Sequence, residues 1–172
     1  VREILVEDEQ GRQTRIHSER LASMEDMHTA AMRYSIEPLN YSGKIMIRSI
    51  LDGDLINDGV ARYRQLDQHH LEPVEAKGDG QTQQLIVRTN QSRVEIGMDC
   101  RMRILHGRHE KEPGMDHRVS PGRVESVTSM DLTKGETITV EKLVAVYTSR
   151  ETGTGKVLQP ALDKLDQMES YD

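Results

Sequence analysis

From Arg93 the chain reads RVEIGMDCRMRIL, and this run constrains the fold more than any other feature. Val94, Ile96, Met98, Cys100, Met102 and Ile104 fall on one side of an extended strand, with Arg93, Glu95, Asp99, Arg101 and Arg103 on the other. A period of two with charged residues at alternate positions predicts a strand with one face in a core and the other in water. The same alternation recurs from Met24 to Glu37 through Ala30, Met32, Tyr34 and Ile36. Between Thr137 and Ser149, Ile138, Val140, Val144 and Val146 oppose Leu143, Ala145 and Tyr147, the pattern of a strand buried on both faces.

Turn residues separate these runs. EDEQG closes a predicted hairpin between Ile4–Val6 and Thr14–Ile16, LTKGE a second around Lys134-Gly135, and Asp52-Gly53 offers the positive backbone angle that tight hairpins favour. From His106 to Gly122 the sequence has no period and two prolines, so it reads as a long surface loop. Short strands punctuated in this way predict an all-β, antiparallel sandwich. The tail differs: Leu158, Leu162, Leu165 and Met168 have helical spacing, and a helix is expected from about Gln159 with Pro160 in its first turn. The division is therefore a sandwich over 1–150 and a linker with the start of a helix over 151–172.

A chain of 172 residues is one domain of ordinary size. Its net charge is −6, and its 23 basic residues are scattered among 29 acidic ones, which argues against a nucleic-acid partner. Phe and Trp are absent and Tyr occurs five times, so aliphatic residues and nine Met must fill the core. Few flat faces remain for stacking on sugars or bases. No apolar run approaches bilayer length and VREILVEDEQ lacks the features of a signal peptide, so no membrane partner and a cytoplasmic location are the expectation. The single cysteine, Cys100, has no intramolecular partner for a disulfide, in keeping with that compartment.

Serine 23, Asp26 and His28, then Arg33-Tyr34, Pro38-Leu39-Asn40, Ser42-Gly43, Ser49, Leu51-Asp52-Gly53 and Asn57, followed by EKLVAVYTSRE, occur in an order that resembles the N-terminal β-sandwich of glycoside hydrolase family 65. That family contains maltose, trehalose and kojibiose phosphorylases. The resemblance implies a galactose-mutarotase-like supersandwich and, in the parent enzyme, an (α/α)6 barrel beyond a helical linker. There one Glu is the general acid, and inorganic phosphate is the co-substrate that attacks the anomeric carbon with inversion. Neither the barrel nor a Gly-rich opening motif of the form NGYxGxRG is found in these residues. The implied partners are the barrel of the same parent chain, an α-linked disaccharide bound by that parent, and a second copy in a homo-oligomer. The segment from Tyr34 to Val60 then builds corners: Pro38 fixes a turn, Gly43 and Gly53 avoid Cβ clashes, and Asn40, Ser42 and Asp52 bond to nearby main chain.

No catalytic, cofactor-binding or metal-binding residue is nominated. His106, His109 and His117, with Glu110, Glu112 and Asp116, lie in a loop without the Cys ligands or spacing of zinc sites. The adjacent His69 and His70 would point to opposite faces. Asp26 and His28 would share a strand face, where a structural hydrogen bond explains them better than acid-base work without a nucleophile. Gly153-Thr-Gly155-Lys156 lacks the spacer and hydroxyl residue of a phosphate loop and reads as a flexible linker, and Cys100 reads as a small core hydrophobe. The expected function is a scaffolding, catalytically inactive domain of a carbohydrate-active enzyme. An independent carbohydrate-binding module and a mutarotase-like epimerase are the alternatives.

The isolated tail helix and the cut sheet edges are expected to leave apolar surface open, favouring edge-to-edge association of two copies over the helix folding back.

Overall fold

The computed structural model describes residues 1–56 and 68–172. Asn57 and Val60 lie outside the described residues. Eleven strands are described: β1 (Arg2–Glu7), β2 (Gln13–Ala22), β3 (Thr29–Pro38), β4 (Gly43–Asp52), β5 (Leu71–Asp79), β6 (Thr82–Thr89), β7 (Glu95–His106), β8 (His109–Lys111), β9 (Asp116–Ser120), β10 (Arg123–Leu132) and β11 (Ile138–Thr148). Two helices follow, α1 (Ser149–Thr152) and α2 (Leu158–Gln167). The larger antiparallel sheet runs β1-β2-β3-β11-β7-β6-β5, with β8 on the end of β7, and faces a sheet of order β4-β10-β9. This is the antiparallel sandwich that the alternation predicts.

Between the sheets, Ile47, Met102, Ile104, Leu132, Ile138 and Val140 form one cluster, and Leu51, Leu85, Val87 and Cys100 another. Gln83 ties the sheets together: its side-chain amide donates to the carbonyls of Ser49 (3.0 Å) and Val124 (3.2 Å), while its oxygen accepts from the Ser49 hydroxyl (2.7 Å) and the Cys100 thiol (3.2 Å). A buried amide is tolerated there because its hydrogen-bonding groups have partners.

The opposite face of the larger sheet is not in water along its middle strands. Ala161 and Leu165 of α2 pack on Ala31, Leu143 and Ala145, so the helix makes a third layer over β7 and β11. Two sequence expectations fail for this reason. Glu95 and Asp99, on the charged side of β7, are 2% and 0% exposed, and Arg101 and Arg103 are half-buried in ion pairs. The tail helix, expected to lack a surface and to promote association, rests on its own sheet. A Cβ on Gly97 would lie 2.7 Å from Val157 Cγ2, so only glycine lets the chain entering α2 lie flat against β7.

Burial also holds the Asp99 carboxyl above its ordinary value, and among the described residues its Oδ1 has no hydrogen-bond partner. A native pKa raised in this way means that the folded chain binds more protons than the unfolded chain, so stability falls as pH rises through that window. Asp99→Asn is expected to flatten this slope and to raise stability at pH 7 by about 1 kcal/mol, read from urea midpoints at pH 4 and 7.

Other expectations are corrected in detail. The turn at Lys134-Gly135 exists, with Gly135 at φ +78°, but β10 and β11 lie in different sheets, so it is a crossover and not a hairpin. The supposed loop 106–122 contains β8 and β9, which are too short to show a period. The strand placed from Met24 begins at Thr29, because Ser23 Oγ accepts the Asp26 N–H and Asp26 Oδ1 the His28 N–H, closing a turn first. Gly53 has no positive φ; a Cβ there would meet Val87 Cγ1 at 2.3 Å, whereas one on Gly43 would make only ordinary contact. Of the three residues expected to bond nearby main chain, Asp52 does so at the Asp54 N–H, whereas Asn40 reaches the Gln13 N–H and Gly11 carbonyl and Ser42 the Lys134 N–H, all distant in sequence. The first hairpin has its expected pairs, Ile4 with Ile16 and Val6 with Thr14.

Candidate functional site

The densest set of ionisable groups crosses the outer face of the larger sheet. Glu19, Arg33, Glu141 and Arg103 are successive cross-strand neighbours on β2, β3, β11 and β7, so strand register alone sets charges of alternating sign side by side. Glu141, 3% exposed, accepts from Arg33 Nε (3.1 Å) and Nη2 (2.9 Å) and from Arg103 Nη1 (3.1 Å). Arg103 also pairs with Glu110 at 2.7 Å. Arg33 lies 4.2 Å from the centre of the Tyr171 ring and meets the Asp172 carboxylate at 2.6 Å. A cavity of about 490 Å³ opens beside these groups.

The chemistry available there is holding and not proton transfer. The Asp172 carboxylate raises the Arg33 pKa, and that of Glu110 raises the Arg103 pKa. Two guanidiniums locked in the charged state donate hydrogen bonds and cannot act as bases. Among the described residues, no Ser, Cys or Thr nucleophile with an adjacent base is part of the cluster.

The residues weighed from sequence are not brought together. His106 pairs with Glu136 at 2.9 Å, and His117 meets the Ser126 hydroxyl at 2.8 Å and the Gly80 carbonyl at 3.1 Å. His109 lies exposed on β8, and His69 lies 3.4 Å from Asp54. Among the described residues no group of three His, Cys, Asp or Glu side chains is placed to hold a metal ion. Asp26 pairs with Lys164 at 2.5 Å, whereas His28 stacks on Tyr147 at 3.8 Å and bonds the Val146 carbonyl. Neither is on a strand, and both join the turn before β3 to the C-terminal layer. Burial pushes the Cys100 thiol up to about 11 and leaves it unreactive. The glycine-rich stretch is anchored, contrary to the flexible linker expected: the Gly155 N–H donates to the buried Glu95 carboxylate at 2.6 Å, which Arg88 also pairs at 2.5 Å. Sequence reasoning missed Glu95, Gln83 and Glu141, whose burial carries no local signal.

The family model described as glycosyl hydrolase family 65, N-terminal domain, matches residues 1–172. The chain belongs to this family. An uncharacterized glycosyl hydrolase of Mycobacterium tuberculosis is 32% identical over 155 residues, covering 89% of this chain and 12% of that protein. The kojibiose phosphorylase of Halothermothrix orenii is 28% identical over 176 residues, covering 97% of this chain and 21% of the relative. In fold, the domain is similar to a solved, provisionally named kojibiose phosphorylase from human microbiome, with TM-score 0.72 and 18% identity over 91% of this chain and 19% of that one. This family 65 N-terminal domain thus spans about a fifth or less of the length of these relatives. Among the described residues no helix is long and apolar enough to cross a membrane.

Proposed function

We propose that the chain is the non-catalytic sandwich of a family 65 phosphorylase acting on an α-linked glucose disaccharide. Residues 1–150 form its scaffold, and 151–172 lead toward an (α/α)6 barrel of the same polypeptide that carries the chemistry. The alignment with a kojibiose phosphorylase over 97% of this chain and only 21% of the relative supports this reading most directly. The ion-pair row agrees with it, because the buried Glu141 carboxylate is engaged by two arginines.

Phosphate is then a co-substrate handled outside these residues. The longer gene product, incubated with kojibiose, trehalose or maltose, is expected to release glucose and a sugar 1-phosphate only when inorganic phosphate is added. Release of two glucoses per disaccharide without phosphate would identify a hydrolase and overturn the phosphorylase assignment.

A further inference from the structure

The two sides of the sandwich are built differently. On one side β5 and β9 meet closely; a Cβ on Gly78 would lie 2.5 Å from His117 Nδ1. On the other, the larger sheet continues through β3, β2 and β1, while the smaller sheet stops at β4 among the described residues. One cross-strand row shows the consequence. Ile138, Ile36, Ile16 and Ile4 are successive neighbours on β11, β3, β2 and β1. Ile138 is 1% exposed beneath the smaller sheet, and Ile4, at the other end of the row, is 40% exposed. Beside β4 the uncovered face becomes a cleft of about 430 Å³, lined by Met32, Tyr34, Ile36, Met46 and Ile50 with Lys142.

The rim of this cleft is backbone. The Gly53 N–H donates to the Gly122 carbonyl beyond the end of β10, and in an antiparallel ladder alternate residues address opposite sides. Residues 45, 47, 49 and 51 therefore address β10, whereas 44, 46, 48 and 50 address the cleft. Lys142 Nζ donates to the Ile50 carbonyl at 2.9 Å, which confirms the direction at that residue. Strands repeat every ~4.8 Å, so the face of β2 and β1 has room for about two further strands.

We propose that this cleft receives an extended segment of the same longer polypeptide, from outside residues 1–172, that pairs with β4 as an added strand of the smaller sheet. The proposal rests on the chain being a domain of a longer protein. Its relatives carry several times this length, and a tethered strand arrives at an effective concentration in the millimolar range. A second copy fits less well: antiparallel pairing of β4 with itself would bring the exposed Lys44 and Arg48 of the two copies face to face. The cleft asks for apolar residues at alternate positions, to meet Ile36 and Tyr34, with polar ones between them.

Amide hydrogen exchange at Met46 and Arg48, with maleimide labelling of Ile16→Cys on β2, tests this in the 172-residue chain and in the longer gene product. Cys100, buried in both, serves as the unreactive control. The expected result is fast exchange and labelling in the short chain, and slowing by 100-fold or more for the amides and 10-fold or more for the thiol in the longer one. Equal rates in the two proteins would overturn the proposal, as would protection already present in the short chain. If the latter weakens on dilution, a second copy is the occupant; if not, the chain covers the cleft itself. Protection found in a longer protein that fails the phosphorolysis assay still supports the strand, so the two readings fail separately.

Discussion

Glu95→Ala is expected to lower the stability of the chain by about 2 kcal/mol, because it leaves a partly buried guanidinium and the Gly155 N–H without their shared acceptor. The Glu95 carboxylate takes the Gly155 N–H at 2.6 Å and Arg88 Nη2 at 2.5 Å, and the Glu95 N–H donates to the Ser149 hydroxyl at 2.9 Å. One residue at the start of β7 thus fastens both α1 and the turn that delivers α2. The Gly155 N–H, and after it Arg88, hold the carboxyl below its ordinary value of 4.5. With the native pKa depressed, this contribution is present above the unfolded value and is lost as pH falls through the native one. Urea unfolding at pH 7 and pH 3 is expected to show a large gap between the native chain and Glu95→Ala at pH 7, and a smaller one at pH 3. Glu95→Gln, which keeps the acceptor oxygen, is expected to fall between them at pH 7. A gap that widens in acid would contradict the assignment.

Ile104→Ala is expected to cost about 2 to 4 kcal/mol, since Ile104 is fully buried between the sheets and its neighbours on both sides are rigid strands. Its neighbour on the opposite face makes the comparison informative. Arg103 is 17% exposed and shares the buried Glu141 with Arg33, so Arg103→Ala is expected to cost about 1 to 2 kcal/mol, more than an ordinary surface arginine. Denaturant unfolding of both variants checks the order. A loss from Arg103→Ala below the noise would show that Arg33 alone satisfies Glu141, and a loss equal to that of Ile104→Ala would contradict the assignment of faces.

The alternation in β7 made one face legible because hydrophobic burial between two sheets leaves a period of two in the sequence. The other face was misjudged for a physical reason. Glu95, Asp99 and Arg103 are charged, and charge alone reads as solvent; Glu95 is held by Ser149 and Gly155, far along the chain, and Arg103 by Glu110 and Glu141 of neighbouring strands. Turns were legible where a side chain bonds nearby main chain, as Asp52 does at the Asp54 N–H, whereas Asn40 and Ser42 bond main chain 27 and 92 residues away. The partner sheet of each strand was not, since LTKGE has the same turn chemistry whether its strands pair or part. The strands within 106–122 went unread because β8 and β9 are shorter than any period can show. The Arg33–Glu141–Arg103 row was not legible, because it depends on register among three strands that no local pattern specifies.

If this domain supports chemistry performed elsewhere in a longer polypeptide, as proposed, residues 1–172 alone turn over no disaccharide. The most direct test incubates the purified 172-residue chain and the longer gene product side by side with kojibiose, trehalose and maltose, with and without inorganic phosphate, and measures sugar 1-phosphate and free glucose. Phosphate-dependent turnover by the longer protein and none by the short chain is the expected result at equal molar concentration. Turnover of any of the three disaccharides by the pure short chain would contradict it.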